Sequence, residues 1–273
     1  MKRLSHGLGA LLLWCLTPLT AISQPAISDC PAPIRFQAGP FFSQSFANKF
    51  WSGFANQIAT ISGCKVTVHG SQDYEMYLRS LLIQDFDIYV TPDYYAEALI
   101  KLGLIPAIRS RNAGEILLVS RVDLSENPSH IQGATIVVPS VYTRAYLDIE
   151  KWLKDRDLFD SVTLDSGYTH DGALIKLLNG EADAAAVISN IYRRLPDNIK
   201  NRLHHLKIAQ RGGGYLFVRA ELAPWLKPAL MKATAKSTLF SWEIAKPPYF
   251  DPHSARFQEQ LSAFRAKIEN KAK

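Results

Sequence analysis

Cysteine is scarce in this chain, with three in 273 residues. No Cys-x-x-Cys pair and no His-Glu-x-x-His occurs, so nothing points to a structural zinc or a metalloprotease. There is no Gly-x-Ser-x-Gly elbow, and no cysteine is left as a nucleophile if two of the three pair. Paired carboxylates such as Asp171 and Glu181 fall at opposite ends of one helix. The reading is therefore of a protein that is not an enzyme and needs no cofactor and no metal. Lys and Arg are scattered, without a basic run interleaved with aromatics, which argues against a nucleic-acid partner. Beyond the N-terminus no segment is apolar enough to span a bilayer, so no membrane insertion of the mature chain is expected.

What is present begins with an export signal. Lys2 and Arg3 precede the apolar run "LGALLLWCL", then Pro18 and "TAISQP". This is the charged, apolar and small-residue pattern of a secretory signal peptide, with cleavage expected after Ser23. A membrane anchor is the alternative, but the run is short and Pro18 interrupts it. Trp14 before Cys15 and Asp29 before Cys30 are poor lipobox residues. Removal of Lys2 and Arg3 leaves 29 basic against 25 acidic residues, a mild net charge of +4. The hydrophobic content of 47% is that of a folded chain with a substantial core.

Cys15 departs with the leader, leaving Cys30 and Cys64. Each shortly precedes a strand-like segment, Ile34 to Ala38 and Lys65 to Val68. If those strands are parallel neighbours, both cysteines lie at one edge of the sheet and form a disulfide, worth about 3–4 kcal/mol for a loop of this length. Two buried free thiols are the alternative.

From Ile34 onward strands and helices alternate. "IRFQAG", "KVTVHG" and "FDIYVT" read as strands, with helices through Phe50 and Ile58, through Leu78 and Leu82, and over "PDYYAEALIKLG". This is a βαβαβ unit with a parallel sheet. "EILLVS" is a strand leading away, and a second unit follows with "ATIVVPS", the helix "TRAYLDIEKWLKDR" and "SVTLD". "LKIAQRGGGYLFVRAEL" reads as a return crossing with a bend at Gly212 to Gly214, and the remainder is helical. No Lys-Ser/Thr follows those glycines, so they are a hinge or bend and not a phosphate loop. The expected divisions are residues 1–23 as leader, 24–115 as the first part of lobe I, 116–210 as lobe II with crossing strands, and 211–273 as return crossing and lobe I helices. Two α/β lobes joined by two crossing segments enclose a cleft. In open α/β sheets ligands sit beyond the carboxyl ends of the strands. The candidate cleft loops are Gly39 to Ser45, His69 to Tyr74, Thr91 to Tyr95, Pro139 to Arg144, Asp165 to Asp171 and Ser189 to Tyr192.

The stretch from Gly167 to Val187, "GYTHDGALIKLLNGEADAAAV", carries the most local information. Thr169 is an N-cap, Asp171 an acid in the first turn, and Gly180 sits just past the helix end. Ala184, Ala185, Ala186 and Val187 form a buried strand with something packed close to it. His170 then heads a loop facing the cleft.

This stretch is similar to the Ser-His-Asp, helix, Asn-Gly-Glu and alanine-strand segment of the phosphonate/phosphate-type periplasmic solute-binding family, the PhnD-like group. "DIYVTPDYYAEAL" and "GATIVVPSVYTRAYL" resemble two further segments of that family, in the same order. The resemblance implies a type II periplasmic binding fold whose lobes close on a small, usually oxyanionic solute for an ABC importer. In the family a Ser-Thr-Ser cluster after the second-lobe proline presents hydroxyls and backbone N–H groups to the oxyanion. With Pro139 aligned, the corresponding residues are Val141, Tyr142 and Thr143, preceded by Ser140, so the cluster is largely replaced. Ile188 stands where the family has an acid, and Asp93 opens the turn before Tyr94 and Tyr95, where a carboxylate repels an anion. Arg144 is a candidate compensating cation.

The ligand-binding candidates are thus His170, Thr169, Thr143, Ser140, Tyr142, Tyr94, Tyr95, Thr91, Phe41 and Ser189. Only one of the adjacent Tyr94 and Tyr95 is expected to face the cleft, and core packing is as good a reading for Phe41 and Phe42. His204 and His205 read as a solvated segment and not a metal site. The expected function is a periplasmic solute-binding protein that captures a small polar or oxyanionic solute by hinge closure and delivers it to an inner-membrane ABC permease. A periplasmic sensing subunit reporting to a membrane sensor kinase is the alternative.

Overall fold

The computed structural model describes residue 30 and residues 32–112, 114–125, 127–235, 241–247 and 251–271. The expected signal peptide and its cleavage point lie outside the described residues. The first half of the fold follows the alternation of apolar segments: β1 (Ile34–Gln37), α1 (Gln44–Ser62), β2 (Val66–His69), α2 (Tyr74–Leu82) and β3 (Ile88–Thr91). Strand β1 lies between β2 and β3 and is parallel to both, with Phe36 opposite Val68 and Ile88. Helix α1 buries Ala47, Trp51, Phe54, Ala55 and Ile58, the three-and-four spacing of one helical face. The rings of Trp51 and Phe54 pack on Phe36, at 5.5 and 6.3 Å between centroids. Gly63 ends the helix in the left-handed region (φ 73°), its N–H bonded to the carbonyl of Ala59.

After the short turn Asp93–Tyr95 come α3 (Ala96–Lys101) and β4 (Ile105–Ser110). Strand β4 is absent from the sequence reading, and so is the edge strand β11 (Trp242–Ile244). Pro106 is the reason for the first omission, since proline cannot donate to a ladder. The sheet tolerates it because β11 pairs only Ile108, Arg109 and Ser110, and because the pairing with β10 (Tyr215–Val218) shifts register beside it. Strand β10 runs antiparallel between β3 and β4, giving the order β11-β4-β10-β3-β1-β2.

The second sheet has the order β7-β6-β8-β5-β9. It comprises β5 (Gly114–Ser120), β6 (Thr135–Val138), β7 (Thr163–Ser166), β8 (Ala184–Ile188) and β9 (His204–Arg211), with helices α4 (Arg144–Lys154) and α5 (His170–Asn179) and the short turns α6 (Ser189–Tyr192) and α7 (Asp197–Lys200). The alanine strand β8 is central, wholly buried between β6 and β5 with α4 and α5 against it. Small side chains there allow both helices to approach. The glycine bend between β9 and β10 is equally close-packed: a Cβ on Gly213 would stand 1.8 Å from the carbonyl oxygen of Ser110. The glycines are what lets the two crossing segments lie against each other.

The C-terminal helices α8 (Ala223–Ala235) and α9 (Ser254–Lys271) return to the first lobe, α8 on α1 and β4, α9 on α3 and the Asp93–Tyr95 turn. Cys30 and Cys64 form a disulfide with Cα atoms 5.6 Å apart, and the parallel pairing of β1 with β2 brings them together as expected.

Candidate functional site

The carboxyl ends of β1 and β3 face those of β6 and β8, and the two lobes touch across the gap. The N–H of Ser43 donates to Asp171 Oδ2 at 2.8 Å. The phenols of Tyr94 and Tyr95 both donate to the carbonyl of Tyr142, at 2.8 and 3.0 Å. The Arg194 guanidinium lies over the rings of Phe42, Phe46 and Phe50, 4.6, 5.1 and 4.9 Å from their centroids. Phe41 stacks on His170 at 6.4 Å.

Between the lobes lies a small cavity of about 20 Å³, lined by Phe41, Tyr74, Pro92, Asp93, Tyr94, Thr143, Arg144, Ala145, His170, Ile188 and Arg211. That is room for about one water molecule. His170 is 2% exposed, and its Nδ1 accepts the N–H of Ile188 at 3.3 Å. Burial, and secondarily the charge of Arg211, lower its pKa from 6.5 to about 3. The imidazole is therefore neutral near pH 7, and with Nδ1 accepting, the proton sits on Nε2 as a donor. Arg144 and Ala145 open α4, and first-turn N–H groups have no acceptor within their own helix. The dipole of α4 favours negative charge at the same place.

Thr143 lines the cavity but its hydroxyl is engaged, donating to the Ser140 carbonyl at 2.6 Å and accepting from the N–H of Tyr146 at 3.2 Å. It acts as the N-cap of α4. Arg144 does not stand as a free cation. Its guanidinium is paired with Asp93 at 3.2 Å, Asp148 at 3.4 Å and Asp251 at 2.5 Å. Asp148 in turn meets His253 Nε2 at 2.7 Å. Asp93 is thus neutralised by an arginine from the other lobe, while burial pushes its carboxyl above the usual range and Arg144 pulls it back.

Arg211, at the end of β9, is the cation that sequence reasoning missed. Its Nε is sealed from solvent and has no hydrogen-bond partner among the described residues. Burial lowers its pKa, with Asp93 opposing. It lies against Gly114, where a Cβ would come within 2.3 Å of Nε. The available signal was an arginine directly before three glycines in a return crossing, which places it at the lobe junction.

A second compartment, about 80 Å³, shares Phe41, Pro92, Ile188 and Arg211 with the first. Its other walls include Phe42, Phe50, Trp51, Thr91, Asn190 and Trp242. A third space, about 860 Å³, is an open groove on the outside of the junction, lined by Asp73, Glu75, Asp160 and Asp165 together with Ser140, Tyr142 and Tyr168. Its acidic rim repels an anion, so its size does not make it the oxyanion site.

The structure brings His170, Tyr94, Thr143 and Phe41 to the inner cavity and puts Thr91 in the second compartment. Ser140 and Tyr142 open on the outer groove. Thr169 caps α5, accepting from the N–H of Gly172 at 3.0 Å. Tyr95 stacks on Phe257 in the core, and the Ser189 hydroxyl accepts from the N–H of Glu115 at 3.2 Å where β8 meets β5. His204 and His205 are exposed on β9. Among the described residues no cluster of His, Cys, Asp and Glu is placed to hold a metal, and no helix is long and apolar enough to cross a membrane.

Two sheets joined by two close-packed crossings, with a polar cavity at their carboxyl ends, define a two-lobed type II periplasmic binding fold. The model for the periplasmic substrate-binding proteins of phosphonate ABC transporters matches residues 36–233, and the chain belongs to that family. Among solved structures it is similar to PhnD1 of Prochlorococcus marinus (MIT 9301) in complex with methylphosphonate, at 11% identity and TM-score 0.65, covering 88% of this chain and 99% of that one. A binding protein component of an ABC phosphonate transporter from Pseudomonas aeruginosa is similar at 12% identity and TM-score 0.65, covering 89% and 99%. A Xanthomonas citri protein bound to ATP follows at 14% identity and TM-score 0.54, covering 86% and 98%. No curated protein sequence matches the chain.

Proposed function

We propose that the protein captures a small oxyanion of the phosphonate class in the inner cavity and delivers it to an inner-membrane ABC permease. The observation that carries this reading is the neutral His170, buried with Nε2–H as a donor beside the opening turn of α4. A neutral donor and helix N–H groups together suit an oxyanion without demanding a particular charge. The cavity is too small for such a solute while the lobes touch, so entry requires the lobes to part. Ser43–Asp171, the Tyr142 carbonyl and the Arg194–phenylalanine stack are the contacts that separate, and Gly212 to Gly214 lie where the chain would bend. The leader directs the chain to the periplasm, where that solute is met.

A thermal-shift panel on protein unfolded and refolded to strip carried-over ligand tests the assignment. Phosphate, phosphite, alkyl- and aminophosphonates, sulfate, carboxylates and small amines are the arms. A ligand at one hundred times its dissociation constant stabilises the fold by about 2.7 kcal/mol. A raised melting temperature with a phosphorus oxyanion is expected. Response to amines alone would overturn it.

A further inference from the structure

The site is divided, and Arg211 stands at the division. On one side is the polar cavity with His170 and the start of α4, and on the other the compartment walled by Phe42, Phe50, Trp51 and Trp242. The second is roughly four times larger, and the hydroxyl of Thr91 in its wall is buried without a hydrogen-bond partner among the described residues. Asn190 and Arg194 stand at its margin, Arg194 already engaged over the phenylalanine rings.

A largely desolvated guanidinium without an ion pair is unfavourable, even with the charge of Asp93 opposing the effect of burial. Arg144, in the same cavity wall, has the structural solution: three carboxylates around one arginine. The Arg211 side chain makes no ion pair and no hydrogen bond among the described residues, and its Nε is shut off from water. Gly114 is what leaves space for it. A cation held in this way, at the boundary of a polar and an aromatic space, matches a ligand with a charged head and an apolar body.

We propose that Arg211 anchors the charged head of an organic anion whose apolar substituent fills the Phe42–Phe50–Trp51–Trp242 compartment. The ligand class is then an alkyl- or aryl-substituted oxyanion, not inorganic phosphate. This rests on the solute-binding reading above and sharpens it.

The test is calorimetric titration of the ligand-stripped mature protein with methyl-, ethyl-, propyl- and phenylphosphonate, and with acetate, propionate, butyrate and benzoate. Wild type, Arg211→Gln and Arg211→Lys are compared, with tryptophan fluorescence recorded alongside. The dissociation constant should fall about fourfold for each methylene that enters the compartment. Arg211→Gln should weaken every member by about tenfold or more without lowering the unliganded melting temperature, and Arg211→Lys should recover part of the loss. A merely structural arginine gives the opposite pattern, a lower melting temperature with affinity kept. If Arg211→Gln fails to fold, the lysine variant alone decides: affinity equal to wild type removes Arg211 from the site. Binding of phosphonates with no dependence on chain length overturns the apolar compartment and leaves the proposed function standing. Binding of carboxylates only, with the same chain-length dependence, sustains the divided site and discards the phosphorus head group. No binding in either series by a cooperatively melting protein overturns both.

Discussion

Two half-buried arginines lining the same cavity have different surroundings. Arg144, supplied by α4, is ringed by Asp93, Asp148 and Asp251 from three parts of the chain. Arg211, supplied by the end of β9, has no ion pair among the described residues, although the Nε of both arginines is sealed without a hydrogen-bond partner. The difference separates scaffold from site. Around Arg144 the protein satisfies its own charges and ties lobe II to the Asp93 turn and the segment before α9. Around Arg211, beside His170, it leaves a cation without a carboxylate bonded to it, as a protein does where something else is to be bound.

The largest effect that would sharpen this contrast is expected at Arg144. Arg144→Gln leaves the buried Asp148 and Asp251 and the half-buried Asp93 without their cation and should cost about 3–5 kcal/mol of stability, read as a shift of the urea midpoint. A change under about 1 kcal/mol would break the contrast, because Arg144 would then resemble a surface pair.

A smaller effect concerns His170 and pH. Its folded pKa of about 3 lies below the ordinary 6.5, so between those values the unfolded chain binds the extra proton. The contribution of the neutral imidazole is fully present above about pH 6.5 and is lost as pH falls toward 3, at no more than ~1.4 kcal/mol per pH unit. His170→Gln should flatten that limb in urea unfolding compared at pH 7.5 and 5. An unchanged slope would mean the ring is solvated in the native state.

The smallest expected effect distinguishes Tyr94 from Tyr95. Both phenols donate to the Tyr142 carbonyl, so losing either leaves one donor in place, and each Phe substitution should cost about 0.5–1.5 kcal/mol. Tyr94 also lines the cavity, whereas Tyr95 stacks on Phe257. Tyr94→Phe should therefore weaken oxyanion binding as well, and Tyr95→Phe should not. Equal losses of affinity would place both phenols at the ligand.

Much of this was legible in the residues. The switch between alternating and three-to-four spacing marked β1 to β3 and α1 to α5, and the positions of Cys30 and Cys64 before parallel strands marked their bridge. Thr169 and Gly180 bounded α5 by their own chemistry. Strand β4 was hidden by Pro106, whose fault is absorbed by a register shift and a short neighbour that no local pattern records. Arg211 was hidden for a different reason: only the return crossing brings the end of β9 to the cavity, and nothing near residue 211 states which partners it lacks. Thr143 shows the converse. Its type and position matched a donor to the ligand, yet the hydroxyl is engaged in capping α4, a local use that competes with the distant one.

The central claim is that the cavity lined by His170 holds an oxyanion. Calorimetric titration of methylphosphonate into ligand-stripped wild type and into His170→Ala tests it most directly. The account predicts saturable one-to-one binding to wild type and affinity at least about tenfold weaker in the variant, with the fold intact. Equal affinity in two proteins that melt alike would contradict it.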